Sequence, residues 1–189
     1  MIARTNGTPI SITGLGCHVP ERVLDNAELS TIVDTNDAWI VERTGIRERR
    51  IAADDEALTD ICMPAARRAL EMAGADPASI DLLIVATVTP DMAFPSSSAL
   101  LADMLGMPEA AAYDLSAGCT GFVYAIAQAH AMLAAGLAQR ALVVGGDVLT
   151  LECVVETVRG PVGRGKVKAT VDGQLAVRGT LTFAVGEDQ

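Results

Sequence analysis

Cys119 stands in the run Tyr113-Asp-Leu-Ser-Ala-Gly-Cys-Thr-Gly-Phe122, which reads as a short strand, an elbow of small residues and then a long alanine-rich helix. A thiol carried at a helix start has the makings of a nucleophile. The partially positive N-terminus favours thiolate over thiol, and Gly118 and Gly121 leave room for a substrate to approach the backbone. A cysteine beside glycine in an apolar stretch is also the mark of inert core, and residue type alone leaves both readings open. A second group lies upstream, where Arg43, Arg47, Arg49 and Arg50 fall within eight residues and Trp39 stands beside them. Such a run is either a solvated charged face or an anion site, and the indole adds a surface on which a flat ring can stack.

The elements that must position these residues follow from hydrophobic spacing. Ile10 to Gly16 reads as a strand, and Asp55 to Ala73 as an amphipathic helix with Leu58, Ile61, Cys62, Ala65 and Leu70 near helical spacing. The continuous apolar run Leu82 to Val88 suits a strand covered on both faces. Ser96 to Leu105 is a helix ended by Gly106, and Tyr113 to Leu115 a short buried strand. Cys119 to Ala135 is a helix stopped by Gly136, and Ala141 to Val144 returns to the sheet. This alternation predicts an α/β fold, helices layered on a mostly parallel sheet, with ligands gathering at the C-terminal ends of the strands.

After Thr150 the texture changes. Val167, Ala169 and Val171 alternate with polar residues, and beyond Asp172-Gly173 the residues Leu175, Val177, Leu181 and Phe183 keep the odd positions apolar. An antiparallel β hairpin follows. A two-residue loop at Asp172-Gly173 would set the two apolar stripes on opposite faces, so the pattern predicts a three-residue turn, Val171-Asp172-Gly173, with Val167 opposite Val177. Two units are therefore expected, an α/β domain over 1–150 and a β-rich tail over 151–189.

Composition narrows the class. Half of the 189 residues are apolar, but no apolar run approaches the ~20 residues of a membrane span, and the first residues lack the apolar core of a signal peptide. The four cysteines, Cys17, Cys62, Cys119 and Cys153, lie tens of residues apart, which indicates neither a disulfide framework nor a metal site. The net charge of −10 argues against nucleic acid as a partner. A cytoplasmic protein without membrane attachment is the expectation.

The flanks of Cys119 carry more. Gly14-Leu-Gly-Cys-His-Val-Pro20, Asp34-Thr-Asn-Asp-Ala-Trp39-Ile-Val-Glu-Arg43-Thr-Gly45, Asp81-Leu-Leu-Ile-Val-Ala-Thr-Val-Thr-Pro-Asp91, Ala93-Phe-Pro-Ser96, the cysteine elbow and Ala141-Leu-Val-Val-Gly-Gly-Asp-Val-Leu149 follow one another along the chain. From Ile10 to about Thr150 this resembles the N-terminal half of β-ketoacyl-acyl carrier protein synthase III, an acyltransferase of thiolase-like fold that starts fatty-acid chains. The resemblance implies that acetyl-CoA acylates Cys119. Malonyl-acyl carrier protein then loses carbon dioxide and its carbanion attacks the thioester. No metal or bound organic cofactor is implied, and CoA enters as substrate. For the acyl-CoA site the resemblance carries over Thr35, Trp39, Arg43 and Thr44, with Trp39 on adenine and Arg43 on phosphate. Phe94 and Leu149 match acyl-pocket positions, Phe94 reaching across a dimer interface, although both residue types also suit plain core. Partners so implied are acyl-CoA, acyl carrier protein and a second copy of the chain.

Two departures accompany the resemblance. The family draws a His and an Asn for decarboxylation from its second half, and the only histidines here are His18 and His130. His130 follows Cys119 by eleven residues on one expected helix, hence about 16 Å along its axis, too far to serve as the base. His18 lies in a loop beside Pro20. The tail from Gly165 to Phe183 looks instead like the closing strands of hot-dog-fold acyl carrier protein dehydratases. The expected function is therefore an acyltransferase of fatty-acid initiation, impaired in condensation. The alternatives are a non-catalytic CoA-binding fragment and, from the tail, a hot-dog acyl-thioester dehydratase or thioesterase.

Overall fold

The computed structural model describes residues 10–148 in full and, beyond them, the backbone of three strands within 150–184. The element order is β1 (Arg22–Asp25), α1 (Asn26–Ile32), α2 (Asp37–Thr44), β2 (Glu48–Ile51), α3 (Leu58–Ala73), β3 (Leu82–Ala86), α4 (Ser97–Leu105), β4 (Ala111–Leu115), α5 (Gly121–Ala134), β5 (Ala141–Gly145), then β6 (Thr150–Arg159), β7 (Val162–Val171) and β8 (Gln174–Ala184).

The central sheet is β4-β3-β5, parallel throughout, with Leu82 opposite Ala111 on one side and Ala141 on the other. Every residue of β3 is buried because helices cover both faces. The two-residue period of the strand sorts its side chains. Leu83 and Val85 pack with α3 and α4 through Leu58, Cys62, Leu101 and Leu105, whereas Leu82, Ile84 and Ala86 pack with Ala125 and Ala129 of α5. Burying such aliphatic side chains stabilises by roughly 1.5–3 kcal/mol each, which makes β3 the rigid reference for everything the sheet carries.

The α/β class and the parallel sheet agree with the sequence reading; several details do not. Ile10 to Gly16 forms no strand. Its backbone lies directly on α3, Gly14 against the Ala69 carbonyl and Gly16 against that of Ala65, so close that a Cβ at either position would collide. With α3 rather than a neighbouring strand beneath it, the segment has no ladder partner among the described residues, and Ile12 and Leu15 are exposed. The helix read as Cys119 to Ala135 begins as a 3-10 turn, Gly118–Thr120, with the α-helix starting at Gly121. The antiparallel pair β1–β2 and the helices α1 and α2 between its strands were not anticipated, because a four-residue strand such as Glu48–Ile51 offers no readable alternation.

The tail is a three-stranded antiparallel sheet in the order β6-β7-β8, one strand more than a hairpin. The residues of the expected turn, Asp172 and Gly173, lie outside the described residues, but the flanking register is clear. Val171 pairs with Gln174, a two-residue closure, and the register then shifts between Ala169 and Thr170 so that Ala169 faces Val177 and Val167 faces Gly179. The expected Val167–Val177 pairing is therefore corrected. A β-bulge in β8 brings odd positions opposite odd ones, the match that a three-residue turn was invoked to provide.

Candidate functional site

Three strand ends build the platform under Cys119. The Thr87 N–H, just past β3, donates to the Leu115 carbonyl at the end of β4 over 3.1 Å. The Thr87 hydroxyl donates to Asp147 Oδ1 beyond β5 over 3.0 Å, and Val88 N–H donates to the same oxygen over 2.8 Å. Thr89, also buried, gives its hydroxyl to Asp147 and accepts from Val148 N–H at 2.8 Å. A carboxylate oxygen receiving this many donors, two of them from the buried Thr87 and Thr89 hydroxyls, ties β3 to β5 at their C-terminal ends.

From that platform the chain turns through Ser116 and Ala117 into the elbow. Gly118 takes φ +56°, a conformation that strains any residue with a Cβ. Cys119 follows in the 3-10 turn and is exposed, and the Thr120 hydroxyl closes the turn by donating to Ala117 O over 3.0 Å. α5 then begins with Gly121 against Ala86 and Leu115, and Phe122 lies against Gly145. A shallow hollow of about 500 Å³ adjoins the elbow, bounded by Leu115, Ser116, Ala117, Tyr124 and Gln128.

Cys62 has a different environment. Burial, with the charges of Asp91 and Asp147 nearby, pushes its thiol up to about 11, so it stays protonated at neutral pH. It lines a second cleft of about 740 Å³ with Cys17, His18, Arg50 and Asp91, a cleft that also borders the strand ends at Thr89, Gly145 and Asp147; Cys119, Trp39 and Arg43 do not line it.

The second expected group is assembled on α2. Asn36 caps the helix by accepting from Trp39 N–H at 2.9 Å, next to half-buried Thr35. The i,i+4 spacing sets the Arg43 guanidinium over the Trp39 ring, 4.5 Å from its centroid, a cation–π contact on an indole that is 50% exposed. Thr44 ends the helix, its hydroxyl donating to Ile40 O and accepting from Ile46 N–H. What holds α2 in place is Asn26, buried at the start of α1. Its amide donates to Asp37 Oδ1 and to the Ile46 carbonyl, and its oxygen accepts from Arg49.

Trp39, Arg43 and Thr44 thus share one helix with Thr35 at its entry, and Cys119 belongs to the separate sheet-end elbow. Phe94 is 89% exposed on the loop between β3 and α4. Leu149 lies outside the described residues. His18 is half-buried in the cleft and His130 exposed on α5. The Thr87–Thr89–Asp147 network and Asn26 were not read as functional from sequence. The available signal was polar residues closing apolar strands, as in Thr87-Val-Thr89 after β3 and Asp147 after β5. Asp114 is a further case, since its two oxygens accept from Ser97 and Ser98 N–H at 2.9 and 2.8 Å and cap α4.

Comparison with known proteins gives a consistent picture. The 3-oxoacyl-[acyl-carrier-protein] synthase III family profile matches residues 113–154. The β-ketoacyl-[acyl-carrier-protein] synthase III of Symbiobacterium thermophilum is 54% identical over 142 residues, covering 75% of this chain and 43% of the relative. That of Desulfitobacterium hafniense DCB-2 is 50% identical over 141 residues with the same coverage of both. The crystal structure of the synthase III from Aquifex aeolicus VF5 superposes with a TM-score of 0.70 at 43% identity, over 72% of this chain and 44% of that one. The chain spans less than half the length of these relatives. The hot-dog likeness of the tail rests on sequence alone.

Proposed function

We propose, for a chain whose residues from about 10 to 150 share the sequence and thiolase-like fold of β-ketoacyl-[acyl-carrier-protein] synthase III, an acyltransferase role in which Cys119 takes an acyl group from acyl-CoA. The observation that carries this reading is an exposed thiol on an elbow anchored to three strand ends at the head of α5. The Cys119 thiolate attacks the acetyl-CoA carbonyl, the carbon–sulfur bond to CoA breaks, and CoA leaves as a thiolate that takes up a proton. The Cys119 N–H is the proposed donor to the oxyanion formed on the way. CoA is bound as a substrate, its adenine on Trp39, with Arg43, Thr35 and Thr44 around it and Phe94 and Leu149 toward the acyl group. No metal or resident cofactor takes part in this scheme.

For residues 1–189 taken by themselves, condensation is the step expected to be slow. Malonyl-acyl carrier protein must lose carbon dioxide while its enolate is stabilised, and neither His18, in the other cleft, nor His130, far along α5, supplies a group beside Cys119. Residues 1–150 are taken as the catalytic unit and 151–189 as a β-rich appendage. The exposed Phe122, Val123, Tyr124 and Ile126 on α5 support self-association, since a helix apolar on nearly every side is normally covered. Among the described residues no helix is long and apolar enough to cross a membrane, and the cytoplasm, where acyl-CoA and acyl carrier protein meet, is the proposed setting. The test is a two-stage assay, acetyl-CoA first and malonyl-acyl carrier protein second. The first stage is expected to acetylate the protein and the second to proceed orders of magnitude more slowly than in a full-length relative; rapid release of acetoacetyl-acyl carrier protein would refute the impaired-condensation reading.

A further inference from the structure

We infer that Gly145 and Phe122 act together as the positioning pair for Cys119, an inference that rests on the reading of Cys119 as the nucleophile. Gly145 is the last residue of β5, opposite Ala86 in the parallel ladder, and its missing side chain leaves the space that Phe122 fills. A Cβ on Gly145 would stand 2.8 Å from Phe122 Cδ2, 3.3 Å from its Cγ and 3.5 Å from its Cβ. The close approach is to the ring, at Cδ2 and Cγ, while the Phe122 Cβ stays at ordinary contact distance, so an added methyl must turn the half-exposed ring or press on the start of the helix. Phe122 is the second residue of α5 and follows Cys119 by three. A shift passed from the ring to the Phe122 backbone would move the helix start beside the thiol.

Neighbouring contacts leave this pair as the adjustable one. On the other face of the strand end, a Cβ on Gly146 would meet Cys62 Sγ at 3.1 Å and Leu58 Cδ1 at 3.2 Å, so β5 cannot retreat toward α3. A Cβ on Gly121 would meet Ala86 and Leu115 only at ordinary van der Waals distances of 3.5 and 3.8 Å, and the Asp147–Thr87 network ties the strand ends to one another rather than to α5. Ala125 and Ala129 seat the body of α5 on β3, and Phe122 against Gly145 is the tightest of these glycine contacts at its first turn. The thiol's exposure to the helix N-terminus depends on that turn.

The readout is the ratio of iodoacetamide alkylation rates at Cys119 and Cys17 in the same molecule, resolved by peptide mass, with Cys62 as the reporter of an intact fold. Gly145→Ala is expected to lower the ratio about fivefold, and Phe122→Ala to lower it as well. In the Phe122→Ala background the ring is gone and Gly145→Ala is expected to change the ratio by less than 1.5-fold. An unchanged ratio in Gly145→Ala with Cys62 still unlabelled, or an equal effect of Gly145→Ala with and without Phe122, overturns the proposal. Should Gly145→Ala expose Cys62, Phe122→Leu decides, since it removes the ring without adding bulk to the strand, and an unchanged ratio there overturns it too. In the unsubstituted protein, Cys119 reacting no faster than Cys17 would count against the nucleophile itself; the response of the ratio to the substitutions tests the pair.

Discussion

The Arg43 guanidinium lies over the Trp39 ring, 4.5 Å from the ring centroid, and so occupies one face of the only indole in the chain. A flat ligand ring has one face left to stack on. In the proposed site adenine takes that face, and the positive charge behind the indole remains available to phosphates.

Because Trp39 is the sole tryptophan, its fluorescence reports this site without background. Titration with acetyl-CoA is expected to quench it. Trp39→Ala is expected to raise the acetyl-CoA concentration for half-maximal acylation about tenfold, and Arg43→Ala about threefold, in line with roughly 1.4 and 0.6 kcal/mol of binding. Unaltered concentration dependence in both variants would remove α2 from the site.

Asn26 carries three side-chain hydrogen bonds from a buried position, joining α1 to Asp37, Ile46 and Arg49. Asn26→Ala should destabilise the chain by about 2 kcal/mol in urea unfolding, since it leaves polar partners unsatisfied. It should also loosen α2, seen as a red shift of the Trp39 emission.

Cys62 sets a pH signature. Its thiol rises from 9.0 to about 11 in the folded chain, first through burial and then through Asp91 and Asp147. Below pH 9 both folded and unfolded chains keep the proton, so this contribution to stability is complete. Between pH 9 and about 11 only the unfolded thiol ionises, and stability falls, by at most about 2–3 kcal/mol. Urea melts of the unsubstituted chain should show this decline and those of Cys62→Ala should lack it; parallel declines in both would assign it elsewhere.

The exposed apolar residues of α5 lead to a prediction about assembly. The chain is expected to be a dimer or larger in light scattering at micromolar concentration, and Val123→Glu with Ile126→Lys to shift it toward monomer. A dispersed monomer before substitution would contradict this.

How far the sequence could be read depended on where the ordering information resides. β3 was legible because the apolar run that begins at Leu82 admits few alternatives, although the strand ends at Ala86, two residues before the expected Val88, and α4 because Ser96 and Gly106 mark its two ends. The elbow was legible to within two residues, since Gly118 and Gly121 on either side of Cys119-Thr120 signal a tight turn whatever its helical type. Ile10 to Gly16 was misread because alternation reveals a strand's faces but not its neighbour, and here α3 takes the neighbour's place through Gly14 and Gly16. The tail register was missed because a bulge in β8 leaves no local mark. The Asp147 and Asn26 networks were hidden because their partners are tens of residues away in the chain.

The central claim is that Cys119 accepts an acyl group from acyl-CoA, and intact-mass measurement after incubation with acetyl-CoA tests it most directly. A single acetyl adduct is expected, one that maps to Cys119, survives in Cys17→Ser and disappears in Cys119→Ser. No adduct on the unsubstituted chain, or an adduct that persists in Cys119→Ser, would contradict it.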